Sequence, residues 1–267
     1  MISLDIVNLY TNIPLEETLT ILKENLIKNI KTNNLSKPYI NELIQLLRTV
    51  LSQNYFTFNN EFFIQQEGLA TGSPLSGLLA EIYLNHFEQN YIFSNNNKFS
   101  NSVKFYNRYV DDTFILIQGS NRQIENFKNY LNGINKNIQF TLEIEENNKI
   151  NFLELTVYKA QNEFKLKIFR KPTTTDITIH ATSHHPISQK MAAYNSFVHK
   201  LLTIPMEPSD YEEELNIIKQ IAVANGYKSS TIDKLINKQQ KRKSTNSYQT
   251  TTSSTYQLLT GTSLIKS

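Results

Sequence analysis

The 267-residue chain contains no cysteine, which excludes disulfides, thiolate zinc sites and thiol nucleophiles. Glycine and proline are scarce, at seven each, and this argues against a loop-rich or low-complexity chain. No uninterrupted apolar run approaches the roughly 20 residues needed to cross a bilayer. The N-terminus shows no basic segment followed by an apolar stretch and a small-residue cleavage site, so no secretory signal is visible. Neither sign of charge dominates: 27 Lys and Arg against 24 Asp and Glu leave a formal balance of +3, too small to announce a nucleic-acid partner by itself. These absences predict an intracellular protein, nuclear or cytoplasmic, with no membrane partner.

What is present is apolar and aromatic. With 39% hydrophobic residues, including 15 Phe and 14 Tyr, the chain can bury one sizeable core, or one core and a small satellite. Ile2 to Val7 reads as a short buried strand carrying one Asp. Leu15, Leu19, Leu22, Leu26 and Ile30 then recur at helical spacing, and Pro38 opens a second helix. Tyr55 to Phe58 and Glu61 to Gln65, joined by Asn59-Asn60, predict a hairpin. A turn from Gly68 to Pro74 precedes an apolar helix over about 75–87. Val103 to Tyr109 and Thr113 to Gln118 read as strands meeting at Asp111-Asp112, followed by a helix over about 123–134. Three strands are expected next, over 139–145, 150–159 and 163–170, with turns at Asn147-Asn148 and Gln161-Asn162. From Ser188 the pattern is helical only, and Ser244 to Ser267 is a Ser/Thr-rich tail without periodicity, expected to be disordered. This order predicts an α+β domain with an antiparallel sheet rather than a doubly wound parallel one.

Three carboxylates stand out. Asp5 lies inside an apolar strand, where a charge is costly unless it is paired, hydrogen-bonded or metal-bound. Asp111 and Asp112 sit at a hairpin tip whose flanks, Tyr109-Val110 and Thr113-Phe114-Ile115, are apolar. A solvated turn accounts for the pair as well as a divalent-cation site does. Two-metal phosphoryl transfer, with ions roughly 3.5–4 Å apart, requires convergent carboxylates of this kind. A two-metal nuclease would use the same carboxylates but leaves Gly68 to Ser76 and Tyr10 without a role.

Five blocks, in order, resemble reverse transcriptases, most closely those of Penelope-like retroelements. Leu4-Asp5-Ile6-Val7-Asn8-Leu9-Tyr10-Thr11-Asn12-Ile13-Pro14 is similar to the first catalytic strand of that family. Gly68-Leu69-Ala70-Thr71-Gly72-Ser73-Pro74-Leu75-Ser76 resembles its Gly-Ser-Pro turn and helix, and Tyr109-Val110-Asp111-Asp112 its Tyr-x-Asp-Asp box. Phe152-Leu153-Glu154-Leu155 and Arg170-Lys171-Pro172-Thr173 resemble the two blocks that follow. The resemblance implies a polymerase palm over 1–170, a helical thumb-like region over 171–243 and the tail over 244–267. It implies an RNA-directed DNA polymerase that extends a DNA primer on an RNA template from deoxynucleoside triphosphates, with Mg²⁺ or Mn²⁺ as cofactor.

Carried over position by position, the resemblance makes Asp5, Asp111 and Asp112 catalytic, and Asp5, Asp111, Asp112 and the Ile6 carbonyl the metal ligands. Ile6, Tyr10, Gly72, Ser73 and Pro74 are expected at the nucleotide, with Tyr10 at the position that gates the sugar 2′-hydroxyl. Gly68, Arg170 and Lys171 are expected at the nucleic acid. Core packing at Tyr10, a solvated basic face at Arg170 and Lys171, and a solvated helix end at the basic run Lys238 to Lys243 are the competing readings. The family's fingers and endonuclease blocks are not recognisable, and its Phe-Leu-Asp carboxylate is Glu154 here. The chain is therefore expected to be a truncated copy, either an active polymerase or a non-catalytic nucleic-acid-binding remnant.

Overall fold

The computed structural model describes residues 1–161 and 163–246. They form two compact units: Ile2–Glu143, and the residues from Ile144 on together with Met1.

The first unit is built on a four-stranded sheet. Its strands are β1 (Ile2–Ile6), β4 (Val103–Tyr109), β5 (Asp112–Ile117) and β6 (Phe140–Ile144), in the order β4-β5-β1-β6. The strand pairs β1–β5 and β4–β5 are antiparallel, as the α+β reading requires. Alternation sets the faces of β1: Ile2, Leu4 and Ile6 are buried at every second position, while Asp5 is exposed. In β5, Thr113, Phe114 and Ile115 are all buried, so this strand is covered on both faces.

Helices complete the unit: α1 (Leu9–Asn12), α2 (Leu15–Lys28), α3 (Ile30–Asn33), α4 (Lys37–Leu51), α5 (Ser76–Phe87) and α6 (Asn121–Asn132). Ser36 caps α4 by accepting the Tyr39 N–H, with Pro38 in the first turn. A capping box of Ser120 and Gln123 starts α6 at Asn121, two residues before the start expected from the sequence. α2 packs against α4 and α5. α5 meets β6 through Phe87 and Phe140, whose ring centroids are 5.8 Å apart. A π-helical turn, Glu88–Ile92, extends α5. The hairpin β2 (Tyr55–Phe58) and β3 (Glu61–Ile64) pairs only with itself, and all its residues are exposed.

The second unit holds a meander of β7 (Lys149–Phe152), β8 (Leu155–Ala160) and β9 (Glu163–Ile168), with helices α7 (Ile187–Lys190), α8 (Ala192–Thr203), α9 (Pro208–Ala224) and α10 (Ser230–Asn246). The strand expected over 150–159 is in fact two. Phe152 pairs with Leu155 across a two-residue turn, with Leu153 at φ 55°, and neither Gly, Asn nor Pro marks that break. The three strands expected over 139–170 do not share one sheet either, because β6 belongs to the first unit's sheet. The helices close on Tyr194, Val198, Leu201, Ile218, Ile221 and Ile232. Buried Asn225 ties them to the preceding segment, its amide accepting from the Thr178 N–H and donating to the Asp176 carbonyl. The tail expected over 244–267 lies, beyond Asn246, outside the described residues.

Candidate active site

Register brings the three aspartates to one end of the first unit's sheet. Tyr109 pairs with Asp112, so Val110 and Asp111 form a two-residue turn between β4 and β5. Asp112 is in turn the cross-strand partner of Asp5 on β1, and side chains in such pairs stand about 5 Å apart at Cβ. The Ile6 N–H donates to the Asp111 carbonyl (3.2 Å), holding the turn to β1. Partial desolvation of this largely exposed residue raises the Asp5 carboxyl above its ordinary range, and the nearby negative charge of Asp111 raises it further. Val110 has φ 57°, a left-handed conformation that costs a β-branched residue about 1–3 kcal/mol and persists only where its surroundings over-determine it.

The donor set is chemically suited to a hard divalent cation, since carboxylate and carbonyl oxygens are the ligands Mg²⁺ takes. Among the described residues, no three His, Asp or Glu side chains are gathered around one point. The carboxylates are therefore adjacent but not drawn together into a cage.

A second loop joins this end of the unit. The Leu69 N–H donates to the Tyr10 carbonyl (2.7 Å). Gly68, at φ 72°, lies so close to the α1 backbone that a Cβ there would stand 2.2 Å from the Thr11 carbonyl oxygen. Glycine is thus required by both conformation and space. Gly72, at φ 91°, faces open space, so only its backbone conformation favours glycine. Ser76, buried at the start of α5, donates its hydroxyl to the Ala70 carbonyl (2.6 Å). The Ser73 hydroxyl accepts a long bond from the Leu75 N–H (3.4 Å). Pro74 precedes the helix cap, Leu75, rather than occupying the first helical turn. Tyr10 is half-buried on α1, and the Ile6 side chain is buried.

Residues 1–166 match the family model described as Reverse transcriptase (RNA-dependent DNA polymerase). The chain belongs to this reverse transcriptase family. Residues 177–237 match a second model, Animal helix-turn-helix domain. No curated protein matches the chain. Among solved structures, telomerase from Candida albicans in complex with a TWJ fragment of telomeric RNA aligns at a TM-score of 0.54 and 14% identity, over 87% of this chain and 40% of that one. Telomerase from Candida tropicalis with a TWJ fragment aligns at 0.44 and 14% identity, over 94% of this chain and 40% of that one. An apo Candida tropicalis telomerase truncated from its C-terminal domain aligns at 0.43 and 18% identity, over 61% of this chain and 34% of that one. The first of these shows a shared fold, an antiparallel sheet mixed with helices. The chain spans 40% of that telomerase's length. No described helix is long and apolar enough to cross a membrane.

The basic residues expected at nucleic acid lie in the other unit of this reverse transcriptase chain. Arg170 is ion-paired with buried Glu214 and stacks on Phe197, with its guanidinium carbon 5.1 Å from the ring centroid. Its Nε is buried without a hydrogen-bond partner. Burial raises the Glu214 carboxyl above its ordinary range, and Arg170 opposes that shift. Lys171 is exposed. Lys165 bridges Glu163 (2.9 Å) and Glu207 (2.8 Å). The basic run from Lys238 lies on α10.

Sequence reasoning did not single out Arg108, Glu81 or Glu88. Arg108 is almost buried and engages both glutamates. The available signals were an Arg directly before Tyr109-Val110-Asp111-Asp112, and two glutamates seven residues apart on one helical face.

Proposed function

We propose that this chain is the palm and thumb-like part of a Penelope-like retroelement reverse transcriptase, acting in the nucleus or cytoplasm. It adds deoxynucleotides to a DNA primer 3′-hydroxyl on an RNA template. The observation that carries the reading is the register that sets Asp112 opposite Asp5 with Asp111 in the adjoining turn, in a chain of the reverse transcriptase family. The family match ends at residue 166, which supports a palm over 1–170 and a thumb-like region over 171–243.

Asp5, Asp111 and the Ile6 carbonyl are the groups that hold Mg²⁺ or Mn²⁺, with Asp112 beside them. When bound, the ions neutralise the carboxylates and favour loss of the 3′-hydroxyl proton. The Asp5 carboxyl is raised first by desolvation and then by Asp111, and a bound cation would offset both. Tyr10, on the helix that follows β1, blocks a ribose 2′-hydroxyl. The Gly72-Ser73-Pro74 turn passes its backbone along the incoming nucleotide. Gly68 lets the template-side loop lie against α1. Lys171, and Arg170 once released from Glu214, contact the nucleic-acid backbone. The Candida albicans telomerase that shares this fold is in complex with a fragment of telomeric RNA, which supports RNA as the template class.

Primer extension on an RNA template tests the reading, with Asp111→Asn and Asp112→Asn as controls. Incorporation lost in both variants is expected. Extension that survives both substitutions equally would overturn the site assignment. Salt-sensitive primer–template binding without incorporation would instead identify a non-catalytic remnant.

A further inference from the structure

We propose that Arg108 is a positioning residue, fixing the Val110-Asp111 turn, and with it Asp111 and Asp112, to α5 and the π-helical turn that follows. The proposal rests on the assignment of those aspartates as the reacting site. Arg108 lies on β4 with its side chain only 6% exposed. Its two Nη atoms donate as a fork to both oxygens of Glu81 on α5, at 2.9 and 3.0 Å. Its Nε donates to Glu88, the first residue of the π-helical turn, and the Tyr106 hydroxyl donates to the same Glu88 oxygen (2.9 Å). The remaining contact is the informative one: Nη1 also donates to the Val110 carbonyl (3.1 Å).

A buried ion pair is weak support for stability, because desolvation offsets much of the attraction. Its geometry here is better explained by placement. Val110 holds a left-handed backbone that its side chain disfavours, and the guanidinium grips the carbonyl of that residue. Through Nη1, which donates to both Glu81 and the Val110 carbonyl, the guanidinium ties α5, the helix that starts just after Gly72-Ser73-Pro74, to the aspartate turn. A π-helical turn is costly and occurs preferentially near functional sites. In this chain it begins at Glu88, the residue that anchors the clamp. Lysine cannot replace this arrangement, since a single ammonium lacks the planar fork that reaches two carboxylates and a carbonyl together.

The test combines Arg108→Lys, Arg108→Gln and Glu81→Ala with two readouts on the full chain. In amide hydrogen exchange, Arg108→Lys should speed exchange at residues 109–112 by about tenfold while leaving the rest of β4 and β5 protected. In primer extension at saturating Mg²⁺, the same variant should lower kcat about tenfold with KM for nucleotide unchanged, as expected when reacting groups lose alignment rather than substrate contacts. Arg108→Gln should do more. Glu81→Ala, at a half-exposed position, should do less, and it keeps the test open if Arg108→Gln does not fold. Wild-type exchange at 109–112 in Arg108→Lys and Glu81→Ala would overturn the proposal, as would loss of protection spread evenly over the sheet. If the unsubstituted chain incorporates no nucleotide, the functional reading fails, and the exchange pattern still decides whether Arg108 holds the turn.

Discussion

The first unit contains two hairpins of similar design and opposite circumstance. β4–β5 and β2–β3 each reverse through two residues, Val110-Asp111 and Asn59-Asn60. At the exposed tip both turn residues are Asn, at φ 50° and 62°, a conformation Asn tolerates at little cost. That hairpin has no other strand beside it, its Phe62 is 82% exposed, and its main internal contact is the stacked pair Phe56–Phe63 at 5.4 Å. At the aspartate tip the left-handed position is occupied by Val110, held by Arg108, while Phe114 and Ile115 are buried below. Strain is accepted at a turn that is itself 39% exposed at Val110 but is held by Arg108 above a packed strand, and avoided where only the hairpin's own two strands support the tip. An isolated hairpin is only marginally stable and could not have carried such a turn.

Substitutions at matched positions should widen that contrast. Ile115→Ala, at a fully buried site, should cost about 4 kcal/mol in chemical denaturation, because the cavity adds to the lost transfer energy. If it cost as little as an exposed substitution, β5 would not be the core strand described. Asp111→Asn should lower primer extension by about a hundredfold (~2.7 kcal/mol), the scale of removing one preorganised charge from a reacting site. No comparable loss should follow substitution of Asn60.

Val110→Gly should raise the thermal midpoint, relieving about 1 kcal/mol of backbone strain. Asn60→Gly should move it far less, and equal shifts would mean that the two turns are not differently strained.

Asp5→Asn carries a sign that pH can check. Because the fold raises the Asp5 carboxyl, its contribution to stability is present below the ordinary value of 3.8 and is lost as pH rises through the raised value. The variant should therefore be more stable than the parent at neutral pH. That advantage should shrink on acidification, and an advantage that grew in acid would contradict the raised carboxyl. Smallest of all, Phe62→Ser should change stability by less than about 0.5 kcal/mol, as expected at a solvated tip.

Much of the architecture was legible because it is local. The Asn59-Asn60 hairpin, the helix after the Gly-Ser-Pro turn and the strands around Asp111-Asp112 follow from period and turn chemistry, and the observed ranges agree within a residue or two. The break at Leu153-Glu154 was not legible. The apolar run from Ile150 to Val157 has the composition of one strand, and the turn is set by Phe152 pairing with Leu155 and by the Phe169 N–H bonding the Glu154 carbonyl (2.8 Å).

The candidate site divides in the same way. The sequence by itself determined which residues bear carboxylates and glycines, and in what order, because those features repeat a local pattern. The need for glycine at position 68 came only from the tertiary structure, through an approach to Thr11 across 57 residues. So did the partners of the two arginines: Arg108 meets Glu81 and Glu88 across 27 and 20 residues, and Arg170 meets Glu214 across 44. A charge can be read from one residue, but the partner that neutralises it depends on how distant elements pack.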